Sequence, residues 1–168
     1  MPVLNPDHLL EQADRLMAPR GGGVPRQADL RRAISNAYGV FHAVVTEAAD
    51  DFVGRTQRRT PRYGLVYRSI DHRSLRKLCE DVKKTKLPEK YSKYEPVGGF
   101  GADLIALATA VVDLQEKRHL ADYDPHFRVE MSDAVLAVAT GRTALDRFRS
   151  ANRMRRKAFL SLLVFSPR

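Results

Sequence analysis

The chain has one cysteine, Cys79, so no disulfide within the chain and no cysteine-built zinc site can hold it together. With Gly 10 and Pro 9 in 168 residues, it is neither collagen-like nor of low complexity. Long apolar runs are missing too. The longest runs from Ala158 to Phe165, is interrupted by Ser161, and falls far short of the roughly 20 residues that span a bilayer. No apolar stretch follows the N-terminus as a secretion signal requires, so a cytoplasmic protein without a membrane partner is expected. Acidic residues are also in deficit: 20 Asp and Glu face 29 Lys and Arg, a net charge of +9. Such an excess favours a polyanionic partner, RNA or a nucleotide, and says nothing about fold.

What is present is helical periodicity. Asn5-Pro6 reads as a cap and first helical residue, followed by Leu9, Leu10, Ala13, Leu16 and Met17 at helical spacing. Pro19 and Gly21-Gly22-Gly23 end this helix, so residues 1–25 form an N-terminal helix and a glycine-rich connector. A second helix is expected from Gln27 to Asp51, because Leu30, Ile34, Ala37, Phe41, Val44, Ala48 and Phe52 step by three or four. Arg55 to Arg68 reads as a basic loop, since Thr60-Pro61 argues against helix there. A third helix follows from Ser69 to about Lys84, with Leu75, Leu78, Cys79 and Val82 inward, and Leu87 to Gly101 reads as loop. The fourth helix covers Ala102 to Asp122 and stops before Pro125. Ser132 is placed to cap a fifth, whose stripe is Met131, Val135, Val138, Leu145 and Phe148. That pattern continues to Leu163, with room for a break near Ser150, and 158–168 forms an apolar tail suited to a core helix end or a partner contact. Only Leu65-Val66-Tyr67 and Leu162 to Phe165 look β-like. The expectation is a single all-α domain over residues 1–168, a bundle of four to five helices.

One position breaks the pattern. Leu104, Leu107, Val111 and Leu114 define the inward stripe of the fourth helix, and the next residue in that series is Arg118. A charge there needs a partner, and Asp122 lies four residues on along the same face. His119 and Tyr123 sit beside them. His119, Asp122, Asp124 and His126 match no metal-ligand spacing, so no metal is expected. Gly21-Gly22-Gly23 lacks the G-K-[ST] ending of a phosphate loop, and no cofactor motif is present. His42 reads as a surface or interface histidine, His8 and His72 as surface residues, and Cys79 as a buried small hydrophobe. On the last helical segment Arg142, Arg149, Arg153 and Arg156 share a face that can track a phosphate backbone or be simply solvated. No helix-turn-helix signature points to DNA.

The stretch Ala33-Ile34-Ser35-Asn36-Ala37-Tyr38-Gly39-Val40-Phe41-His42-Ala43 resembles the first long helix of HEPN domains (higher eukaryotes and prokaryotes nucleotide-binding). Arg118-His119-Leu120-Ala121-Asp122-Tyr123-Asp124-Pro125 resembles the R-x-x-A-D-Y-D-P ending of a later helix in that family. The resemblance implies a helical bundle, commonly a homodimer. Many members cleave RNA without a metal as toxins or defence effectors; others only bind RNA, nucleotides or partner proteins. Active members carry R-x(4–6)-H. Here Arg118 fits the arginine, Tyr123 stands where the histidine would, and His126 lies beyond Pro125. As a nuclease, the chain would hold phosphate with Arg118, move protons with His119 or His126, and orient or stack the substrate with Tyr123. Histidine suits that work because its ordinary pKa is near 6.5. The alternative is an inert module partnering an antitoxin, a nucleotidyltransferase or another defence protein.

Overall fold

In the computed structural model of the chain, which describes residues 4–18, 21 and 23–167, the expected second helix is two helices. After α1 (Pro6–Met17), α2 covers Gln27–Ala37 and α3 covers Val40–Phe52. Between them the backbone tightens: the N–H groups of Tyr38, Gly39, Phe41 and His42 each bond the carbonyl three residues back. Gly39 makes room there for α1, since a Cβ at 39 would lie 3.1 Å from Leu9 Cδ1 and 3.0 Å from the Asn36 oxygen. The apolar face survives the break, so periodicity alone does not reveal it.

The basic segment after α3 is largely helical. A 3₁₀ turn, Arg55–Gln57, precedes α4 (Pro61–Ser69). Thr60-Pro61 starts a helix rather than preventing one: Pro61 sits in the first turn and Thr60 Oγ1 accepts from the Tyr63 N–H at 3.3 Å. Leu65-Val66-Tyr67 is therefore helix, not strand. Asp71 and Ser74 form a reciprocal capping box that starts α5 (His72–Val82). The expected loop 87–101 contains one short helical turn, α6 (Glu89–Ser92). Then come α7 (Gly101–Tyr123), α8 (Met131–Ser150) and α9 (Arg153–Val164). Glu130, not Ser132, caps α8. Asn152 accepts from two N–H groups and begins α9, which places the break just after Ser150.

Among the described residues there are nine α-helices and no strand, more helices than the four to five expected. Pro19, Gly22 and the last residue of the apolar tail, Arg168, lie outside the described residues. No described helix is long and apolar enough to cross a membrane.

Helices α2, α7 and α8 pack on one another, with α1 against α2 and α8, α5 against α7, and α3 against α4, α8 and α9. The core joins Ile34, Leu75, Leu104, Leu107, Leu114, Leu145 and Phe159, each almost fully buried. The approach of α2 to α8 depends on Gly141, where a methyl group would overlap the Ala37 carbonyl oxygen and lie 3.1 Å from its carbon. Val135, expected inward, is half exposed, while Ala134, Ala137 and Ala144 are buried in its stead. The apolar tail is a core helix: Phe159, Leu160, Leu162 and Leu163 are buried, and Phe165 packs edge-on against Phe52. Cys79 is buried.

Two polar clamps hold the C-terminal end of α7. Arg31 of α2 donates to the carbonyls of Ala121 (2.7 Å), Asp124 (2.6 Å) and Phe127 (3.2 Å), satisfying groups that a helix end leaves without partners. The Gln27 side chain donates to the Val129 carbonyl and accepts from the Val129 N–H, which pins the turn that follows.

Candidate functional site

The clamped end of α7 carries Arg118. The apolar stripe fixes its phase, so its side chain emerges against α5 and the turn between α2 and α3 rather than into open water; it is 29% exposed. Three groups receive its guanidinium. Nε lies 3.3 Å from Asp122 Oδ2, and Nη1 lies 2.9 Å from Nε2 of His72 on α5. Its carbon sits 5.7 Å from the centre of the Tyr38 ring, within cation–π range. Ser35 Oγ in turn donates a short hydrogen bond to Asp122 Oδ1. The two separated stretches, 33–43 and 118–125, thus meet side chain to side chain.

Arg118 and His72 border two shallow clefts. One, of about 230 Å³, is lined by His72, Arg76, Gln115, Arg118, His119 and Tyr123. The other, of about 240 Å³, lies over Ser35, Tyr38, Gly39 and His42, and includes Arg32 and Asp122. His119 therefore opens on the same cleft as Arg118 despite being its neighbour in sequence: Gln115, Arg118 and His119 share one face at steps of three and four. Tyr123 is 69% exposed, with its ring centre 5.1 Å from that of His119.

His126 lines neither cleft. It is exposed in the turn beyond Pro125, its N–H bonded to Asp124 Oδ1. The arginines of α8 and α9 are not gathered with Arg118 either. Arg149 forms a two-pronged pair with Asp7 (2.6 and 3.0 Å) that ties α8 to α1. Arg156 pairs with Glu47 at 3.3 Å and donates to two carbonyls at the end of α8. Arg142 pairs with Asp14, and of the four only Arg153 stands exposed without such a bond among the described residues. The stripe is spent mainly on joining helices.

His72, expected at the surface, is half-buried. Its ring centre is 4.0 Å from that of Phe41 and 5.5 Å from that of Tyr38. The signal was there, since His72, Leu75, Cys79 and Val82 step by three, four and three along the inward face of α5. His42 is also half-buried, with Nδ1 3.1 Å from the Tyr67 hydroxyl. Burial holds both imidazoles below the ordinary histidine value, and the Arg118 charge pushes the same way. Burial also raises the Tyr38 phenol, so it stays protonated. No group of three or more His, Cys, Asp or Glu side chains among the described residues converges to hold a metal ion.

Arg118 and Arg76 offer planar, permanently charged donors suited to a phosphate. His119 and His72 offer proton-transfer groups in the same cleft, and Tyr123 an exposed aromatic face. No protein-family model, curated protein or solved structure matches this chain.

Proposed function

We propose that this chain is a HEPN-like helical protein that binds RNA through the Arg118 face and cuts it as a metal-independent endoribonuclease of toxin–antitoxin or defence type, acting in the cytoplasm as a homodimer. The observation that carries this reading is the cleft in which Arg76 and Arg118 face His119 and Tyr123. Arg118 holds the scissile phosphate and stabilises the charge that builds on it. His119 exchanges a proton with the reacting oxygens, and Tyr123 stacks on a base or orients the phosphate. The contact between the 33–43 and 118–125 stretches supports the resemblance, because both motifs serve one place in the fold. The net charge of +9 suits the substrate.

The test is incubation of the pure protein with mixed cellular RNA in EDTA, beside Arg118→Ala. Wild type cleaves and the variant does not. Equal cleavage by both overturns the assignment.

A second reading is favoured by Asp122, which neutralises Arg118, and by Tyr123 at the histidine position. On it the chain is an inert module that binds RNA or a nucleotide and partners an antitoxin or nucleotidyltransferase. A wild type that binds RNA and never cuts it selects this reading.

A further inference from the structure

A guanidinium can only donate hydrogen bonds, so the nitrogen it faces must accept. Nε2 of His72, 2.9 Å from Arg118 Nη1, therefore carries no proton, and the proton of the neutral ring sits on Nδ1. That Nδ1 is buried and has no hydrogen-bond partner among the described residues. Protonating Nε2 would set one cation against another. The ring is thus fixed in the form that turns its lone pair to Arg118 at the cleft, and its orientation is set by Phe41 and Tyr38. Behind it, Gln115 Nε2 donates to the His72 carbonyl at 3.1 Å and fixes the start of α5. His72 and His119 border one cleft from two different helices, with Arg118 also on its wall.

We propose that His72 is the general base of this site, supplied by α5 in place of the histidine absent at position 123. The proposal rests on the ribonuclease reading. When Arg118 turns from His72 to an RNA phosphate, the Nε2 lone pair is released. It takes the proton of the adjacent 2′-hydroxyl, and the 2′-oxygen forms a bond to phosphorus. The bond from phosphorus to the 5′-oxygen breaks, and that oxygen takes a proton from the imidazolium of His119. A 2′,3′-cyclic phosphate and a 5′-hydroxyl result, and solvent exchange returns both histidines to their starting forms.

The test compares wild type, His72→Gln, His72→Ala and Arg118→Ala on RNA in EDTA, with binding to 2′-O-methyl RNA measured in parallel. Glutamine keeps an acceptor for Arg118 but cannot act as a base. His72→Gln is expected to lose about 100-fold or more in cleavage with binding retained, and added imidazole to restore part of the His72→Ala rate. Cleavage by His72→Gln at the wild-type rate overturns the role of His72 alone, provided Arg118→Ala is inactive. Loss of RNA binding in both His72 variants, without imidazole rescue, makes His72 a structural residue and also overturns it. A wild type that never cleaves overturns the ribonuclease reading and this role with it.

Discussion

Gly141→Ala tests the packing argument. A glycine in mid-helix costs about 1 kcal/mol relative to alanine, so on α8 alone the substitution stabilises. In the fold the new methyl group meets backbone, not a side chain that can swing aside. It overlaps the Ala37 oxygen and lies 3.1 Å from the Ala37 carbon and 3.3 Å from its Cα. Relieving the overlap with the Ala37 oxygen requires α2 to retreat by roughly 1 Å, a gap that forfeits a quarter to a half of each dispersion contact across it. Leu30, Ala33, Ile34 and Ala37 form the buried face that would be loosened. Overpacking of this kind costs about 1–3 kcal/mol, and here the rigid obstacle puts it at the upper end or beyond, leaving about 2 kcal/mol of net destabilisation after the propensity gain. For a chain of this size that lowers Tm by roughly 4–8 °C. Thermal unfolding followed by circular dichroism at 222 nm measures it. A Tm equal to or above wild type would refute the claim that this glycine sets the α2–α8 distance.

Three further outcomes are expected. Asp50 is mostly buried and accepts from Arg58 Nε (2.9 Å) and the Tyr63 hydroxyl (3.0 Å), so Asp50→Ala should cost about 2 kcal/mol in urea unfolding; a loss below about 0.5 would show that the cluster contributes nothing net. Because the folded chain holds His42 and His72 below their ordinary value of 6.5, the unfolded chain binds more protons as the pH falls through and below that value. Stability contributed by the neutral rings is present above pH 6.5 and lost on acidification. The fall in Tm between pH 7.5 and 5.5 should shrink in the His42→Gln, His72→Gln double variant, and an unchanged slope would count against it. Asp122→Asn keeps an acceptor for Ser35 and removes the counter-charge of Arg118. RNA binding should tighten roughly two- to fivefold, the scale of a partly exposed ion pair, in a filter-binding or anisotropy titration; weaker binding would mean that Asp122 positions the arginine.

Features written in local periodicity were legible in the sequence. Leu104 to Leu114 fixed the phase of α7, and that phase exposed Arg118 as out of place and Asp122 as its partner, a pair the structure contains at 3.3 Å. Relations between distant segments were not legible. His72 lies 46 residues from Arg118, and no spacing rule connects them. Arg31 reads as an ordinary basic residue of α2 until the end of α7 is set against it. The break at Tyr38 and Gly39 was hidden because a 3₁₀ turn shifts the helix without disturbing the apolar sequence pattern. Thr60-Pro61 is ambiguous in sequence because the same dipeptide that ends one helix can begin another, and the Thr60 cap decides between them. The arginines of α8 and α9 formed a stripe on paper. Their acidic partners, Asp7, Asp14 and Glu47, come from helices far earlier in the chain.

The surroundings of Arg118 are collected from Ser35 and Tyr38, from His72 and from Asp122, three separate stretches of sequence. A chain growing from its N-terminus has made three of these before Arg118 exists. Until α7 is complete and Arg31 has closed on its last carbonyls, no partial product contains the assembled surroundings. The surroundings come together only when α7 is in place, so whatever they do is withheld from any copy that stops short of the end of that helix.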